Sequence, residues 1–201
     1  GNQGISHNTF EDFAIMRTLP NFKIFSPGTR DEVSKSCNNI FNNSDPSYIR
    51  LGKAPLENYK TIESIDGVGE FYKKGKDVLI ISTGNLIDEV IKSANKLHIK
   101  SLDCSVFSFC NIKPIKEELI IEILKKYNSI IVVEENVIIG GLNSIISEIK
   151  VKNDLACSVY TLALEDKVHN IIGNQDYLRK INKIDSKSIT DFITKIFNKW
   201  V

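Results

Sequence analysis

Two near-continuous apolar runs, Val78–Ile81 and Ile130–Val133, stand out from the alternating texture of the rest of the chain. Such runs, bounded by polar residues, read as strands buried on both faces, as in a parallel sheet. The first ends at Ser82-Thr83-Gly84, after which Leu86, Ile87, Val90, Ile91, Ala94 and Leu97 recur at helical spacing. Residues 102–109 predict a further strand, and Leu119, Ile120, Ile123 and Leu124 a helix after Lys113-Pro114. Gly140-Gly141 precedes a helix carrying Leu142, Ile145, Ile146 and Ile149, and residues 159–164 give another strand. One or two helices close the chain, with Ile189, Phe192, Ile193, Ile196 and Phe197 as their apolar face. Strand and helix alternate throughout, which predicts an α/β domain with a mostly parallel sheet flanked by helices.

The first quarter is patterned differently. A short helix is expected over residues 10–18, opened by a capping box at Thr9 and Asp12 and stopped before Pro20. Residues 21–26 predict a strand closed by Pro27-Gly28. Thr29 and Glu32 form a second capping box, opening a helix with Val33, Cys37, Ile40 and Phe41 on one face. Residues 47–51 predict another strand. Two short strands with no evident sheet to join make an incomplete α/β piece. The expected division is therefore a partial domain over 1–55, a polar linker over 56–70 and an α/β domain over 71–201.

Composition removes several classes of function. With 26 basic and 25 acidic residues in 201, the formal charge is +1, and no electrostatic case exists for nucleic acid or an anionic membrane as partner. No apolar stretch approaches the roughly 20 residues needed to span a bilayer. Cys37, Cys104, Cys110 and Cys157 form no CxxC pair and show no zinc-ligand spacing with the histidines, so no zinc site is expected; Cys104 and Cys110 read as buried free thiols, which fits a reduced, cytoplasmic setting. The chain starts at Gly1 and its one methionine is Met16, as expected either for initiator removal or for a piece of a longer protein.

Candidate chemistry is sparse on spacing alone. His7 lies in the loop Gly4-Ile5-Ser6-His7 ahead of a helix start, a place that suits an anionic ligand, although spacing alone equally describes an ordinary surface histidine. Arg50 and Lys53 put two cations at a strand end, where they either bind a phosphate or are simply solvated. Glu134-Glu135-Asn136 follows a buried strand and offers paired carboxylates or merely the start of a loop. Gly140-Gly141 lacks dinucleotide spacing, and His98 and His169 read as structural.

Taken in order, these motifs resemble the transketolase family. Gly4-Ile5-Ser6-His7, Glu11-Asp12, Met16-Arg17 and Leu19-Pro20-Asn21 are similar to the end of its pyrimidine-binding domain, and Ser26-Pro27 with Glu32 fits the segment that follows. Residues 46–53 resemble that domain's closing strand. Asp77-Val78 to Gly84, Lys113-Pro114, Glu134-Glu135-Asn136 and Gly140-Gly141-Leu142 resemble the C-terminal domain. The resemblance implies thiamine diphosphate and Mg2+ as cofactors, bound mainly by parts outside this chain, and transfer of a two-carbon ketol unit from a ketose phosphate to an aldose phosphate. It implies His7 as a catalytic contact near the reacting centre, with Gln3, Ser6, Lys53 and Arg50 as substrate-binding residues. Gln3 stands where the family usually has Asp, and Lys53 where it usually has Arg, which changes hydroxyl recognition and loses a bidentate phosphate fork. It further implies association as a homodimer or with an N-terminal section, and inactivity of this fragment alone. A 1-deoxyxylulose-5-phosphate synthase-like or specialised sugar transketolase-like enzyme, and a non-catalytic dimerisation module, are the alternative expectations.

Overall fold

A computed structural model describes residues 4, 7–53 and 57–197. In chain order the elements are α1 (Asp12–Arg17), β1 (Lys23–Phe25), α2 (Arg30–Phe41), β2 (Ser47–Ile49), β3 (Glu63–Ile65), β4 (Gly69–Lys73) and β5 (Val78–Ser82). A single 3-10 turn then leads to α3 (Ile87–Ile99), followed by β6 (Cys104–Phe109), β7 (Asn111–Lys113), α4 (Glu117–Leu124), β8 (Ser129–Val137), α5 (Leu142–Lys152), β9 (Ser158–Leu164), α6 (Gln175–Ile181) and α7 (Ser186–Phe197).

The main sheet has six strands in the order β3-β4-β6-β5-β8-β9. Its β6, β5, β8 and β9 are parallel, while β3 and β4 add an antiparallel hairpin at one edge. The apolar runs are explained by the pleat, which sends alternate residues to opposite faces. Leu79, Ile81, Ile130 and Val132 enter one core with Ile145 and Ile146 of α5 and Ile120, Ile123 and Leu124 of α4. Val78, Ile80, Ile131 and Val133 enter a second core with α3 and with Ile189 and Ile193 of α7. The expected mostly parallel sheet flanked by helices is therefore the observed one, and Cys104, Cys110 and Cys157 are buried free thiols.

Several sequence expectations are corrected. Residues 63–73, assigned in part to a linker, form the β3–β4 hairpin. Its Glu70 is buried because Lys35, Thr61 and Tyr72 supply donors to its carboxylate, so a polar strand can cross the interior. Although burial opposes its charge, those donors hold Glu70 below the usual carboxylate range. The two short N-terminal strands do have a sheet to join. β1 pairs in parallel with β2 and antiparallel with β7, which belongs to the C-terminal half. Phe13 and Ile24 likewise enter the first core, so the two parts share apolar packing.

Helix starts differ in one case and hold in the other. Glu11, not Thr9, is the N-cap of α1 and makes no side-chain capping bond. Asp12 is drawn inward instead, accepting a hydrogen bond from the Tyr48 hydroxyl at 2.9 Å. At α2 the Thr29 hydroxyl does accept from the Glu32 backbone N–H, at 3.2 Å. The buried stripe of α2 runs through the polar Glu32 and Ser36, with Val33, Cys37 and Ile40 of the expected face half-buried beside them and Phe41 85% exposed. Its covering partners are polar too, since the Tyr72 hydroxyl donates to Glu32 at 2.9 Å and Ser36 lies 3.4 Å from the Cys110 sulfur.

The N-terminal part docks on the carboxyl ends of the parallel strands. Ser26 O accepts from Gly84 N at 3.0 Å and from the Thr83 hydroxyl at 3.3 Å. Gly28 fits there because it has no side chain; a Cβ would stand 2.3 Å from the Gly84 carbonyl oxygen. Gly28→Ala should therefore push the seam apart and cost about 1–3 kcal/mol, as overpacking does. Thermal unfolding checks this, and an unchanged midpoint would contradict the tight seam.

Candidate functional site

Open parallel sheets bind ligands where the chain reverses direction across the sheet. Here that point lies between β5, which connects through α3 to β6 on one side, and its other neighbour β8. The loop leaving β5 carries Thr83-Gly84-Asn85, whereas Glu134-Glu135-Asn136, expected to follow the strand, lies within the last residues of β8, where the pairing with β9 shifts register between Val133 and Val137. Part of the crevice is filled by residues 26–28, and the rest opens into a cleft of about 1010 Å³ between the two parts of the chain.

The cleft brings distant predicted residues together. His7 and Lys53 both line it and both are exposed, and Arg50 lines it between them. Gln3 and Ser6, the other expected substrate contacts, lie outside the described residues. Arg50 is heavily engaged. It pairs with Asp12 at 3.4 Å, donates to the Glu135 carbonyl at 2.7 Å and to the Thr9 carbonyl at 3.4 Å, and stacks over Phe13 at 4.8 Å. These contacts tie the loop after His7, the strand before Lys53 and the end of β8 at one guanidinium.

Glu134 and Glu135 do different work although adjacent in sequence. Glu134 points into the protein and is fully buried. It accepts from the Leu142 and Asn143 backbone N–H groups at 2.6 and 3.0 Å, at the N-terminus of α5. Burial pushes its carboxyl up to about 7, with the two N–H groups, Arg50 and Arg17 opposing the rise. Gly141 makes the approach possible, because a Cβ there would lie 2.1 Å from Glu134 Oε2. Glu135 faces the cleft and pairs with Arg179, its Oε1 and Oε2 each 3.3 Å from a guanidinium nitrogen.

Arg179 is the residue that sequence reasoning missed. It is 4% exposed and also donates to Asn85 Oδ1 at 3.0 Å. Nothing in Gln175-Asp176-Tyr177-Leu178-Arg179-Lys180 separates it from an ordinary helix-surface cation. Of the histidines read as structural, His169 also lines the cleft, with its Nε2 2.9 Å from the Glu165 carbonyl and its ring edge-on to Phe10 at 5.4 Å. His98 is exposed on α3. The cleft thus presents cations, amides and backbone carbonyls beside the carboxylates of Asp12 and Glu135, which pair with Arg50 and Arg179. Among the described residues, no three His, Cys, Asp or Glu side chains gather as a metal site, and no helix is long and apolar enough to cross a membrane.

Comparison with known proteins agrees with this picture. The family described as "Transketolase, C-terminal domain" matches residues 67–189. An apulose-4-phosphate transketolase subunit of Actinobacillus succinogenes is 27% identical over 92% of this chain, and the chain spans 60% of that protein. A 1-deoxy-D-xylulose-5-phosphate synthase of Halothermothrix orenii is 30% identical over 100% of the chain, which covers 32% of that enzyme. The solved structure titled "Split gene transketolase, inactive beta4 tetramer" superposes with a TM-score of 0.82 at 26% identity, covering 94% of this chain and 62% of that one. Family match, relatives and superposition agree that the chain belongs to the transketolase C-terminal domain family.

Proposed function

We propose that this chain is the C-terminal section of a thiamine-diphosphate-dependent transketolase that moves a two-carbon ketol unit from a ketose phosphate to an aldose phosphate. The supporting observation is that His7 and Lys53, which match the family's substrate contacts, line one cleft although they come from separate elements. In this reading residues 1–55 are the end of a pyrimidine-binding domain, 56–70 the connection and 71–201 the C-terminal domain.

Thiamine diphosphate, when bound, supplies the carbanion chemistry. In this reading thiamine diphosphate and Mg2+ are held mainly by the part of the complete enzyme that lies outside this chain. What this chain contributes is recognition. His7 hydrogen-bonds substrate oxygens near the reacting carbon and handles a proton there. Lys53 meets the substrate phosphate as a point charge. Arg50, expected as a further substrate contact, also holds the segment that leads from β2 to Lys53, and Gln3 and Ser6 complete the sugar contacts. Activity requires association, with an N-terminal section or with a second copy, and the chain alone is inactive. The relatives named as a transketolase subunit and as a split-gene protein support association.

The test is steady-state kinetics of the complete enzyme with Lys53→Met. Loss of a charge-assisted contact worth about 1.5–3 kcal/mol should raise KM for phosphorylated sugars roughly 10- to 100-fold. An unchanged KM would remove Lys53 from the phosphate site. A 1-deoxyxylulose-5-phosphate synthase-like activity, or action on a specialised sugar, is the second reading. Gln3 in place of the usual Asp and the synthase relative at 30% identity favour it. Turnover of pyruvate in place of a ketose would select the synthase.

A further inference from the structure

The buried Arg179 is left unused by the chemistry proposed above. A buried guanidinium is costly to hold unless it is paired and hydrogen-bonded, and such pairs are weak evidence for stability. Their best-attested use is to fix one geometry. What Arg179 fixes can be followed outward along two arms.

One arm is Asn85. Arg179 donates to its Oδ1 at 3.0 Å, and the amide of Asn85 lies directly against the Gly52 backbone. A Cβ on Gly52 would stand 2.2 Å from Asn85 Nδ2 and 2.5 Å from Asn85 Cγ, so the glycine and the amide occupy complementary space. Gly52 immediately precedes Lys53. The other arm is Glu135, gripped by Arg179 through both carboxylate oxygens at 3.3 Å. Its main-chain carbonyl accepts from Arg50 at 2.7 Å, and the same Arg50 nitrogen reaches the carbonyl of Thr9, two residues beyond His7. Gln175 joins the arms, 3.4 Å from Glu135 Oε2 and 3.5 Å from Asn85 Oδ1. A single guanidinium on α6 thus stands behind the segments that carry both Lys53 and His7.

We propose that Arg179 is a positioning residue which, through Asn85 and Glu135, sets the place of Gly52-Lys53 relative to the His7 loop and so fixes the affinity for the phosphorylated end of the substrate. This rests on the reading of Lys53 as the phosphate contact. It gives the C-terminal domain a share in substrate selection beyond supporting the assembly.

The experiment uses the complete enzyme with Arg179→Met, Arg179→Lys and Asn85→Ala, assayed with an aldose phosphate and with the same aldose lacking the phosphate. Arg179→Met and Asn85→Ala should each raise KM for the phosphorylated sugar about tenfold, a change of about 1.4 kcal/mol. They should alter kcat less than KM, and leave KM for the unphosphorylated sugar where it was. Arg179→Lys, which keeps the charge but loses the fork, should fall between the native enzyme and Arg179→Met. A general loss of order would raise both KM values together, and that result would overturn the proposal. Should Arg179→Met fail to fold by circular dichroism, Asn85→Ala decides, since it leaves the Arg179–Glu135 pair in place. Unchanged KM in Asn85→Ala and Arg179→Lys, with the native enzyme active on sugar phosphates, overturns this inference alone. Absence of any turnover of phosphorylated sugars by the native enzyme overturns the functional reading beneath it.

Discussion

Glu134→Ala is expected to destabilise the protein by about 3 kcal/mol or more. The substitution leaves two backbone N–H groups at the start of α5 without their acceptor, that of Leu142 buried and that of Asn143 partly so, and an unsatisfied buried group costs about 1–3 kcal/mol. It also opens a void against Gly141, whose missing side chain is what lets the carboxylate approach. Denaturant unfolding monitored by circular dichroism checks the figure, and a loss under about 1 kcal/mol would contradict the capping role.

The same residue gives a pH dependence with a definite sign. The folded protein holds the Glu134 proton more tightly than the unfolded chain, with a folded value of about 7 against an ordinary 4.5. Its contribution to stability is then fully present below pH 4.5 and is lost as pH rises through about 7. Glu134→Gln, which cannot titrate, should flatten that part of the stability profile even though it lowers stability overall by presenting an N–H to an N–H. A slope between pH 4.5 and about 7 that is identical in Glu134→Gln would assign the titration to another group.

His7→Ala in the complete enzyme should lower kcat about a hundredfold, within the range usual for loss of a group that handles a proton near the reacting centre. Folding should be unaffected, because His7 is exposed and sits ahead of α1 rather than in either core. The effect should appear with phosphorylated and unphosphorylated sugars alike, which separates it from the Lys53 and Arg179 variants. Unchanged kinetics would take His7 out of the site.

The elements that could be read from sequence are those whose signal is local. Val78–Ile81 and Ile130–Val133 announce strands because both faces of a parallel sheet are covered, and no partner need be known to see it. The β3–β4 hairpin was hidden because its buried Glu70 depends on donors from Thr61, Tyr72 and the distant Lys35 of α2. β7 is three residues long and exists because β1 supplies its pairing. The apolar positions of α2 mark only the edge of its buried face, since Glu32 and Ser36 turn inward toward Tyr72 and Cys110 and leave Val33, Cys37 and Ile40 half-buried beside them. In the cleft, His7, Arg50 and Lys53 were visible through family motifs, whereas Arg179 becomes distinctive only through Glu135 and Asn85, which tertiary structure brings to it.

The most direct test is a two-carbon transfer assay from xylulose 5-phosphate to ribose 5-phosphate. It would use this chain combined with the remaining section of a transketolase, thiamine diphosphate and Mg2+, with the chain alone as control. Turnover in the combination and none in the chain alone is the predicted result. Absence of transfer by a combination that assembles and binds the cofactor would contradict the account.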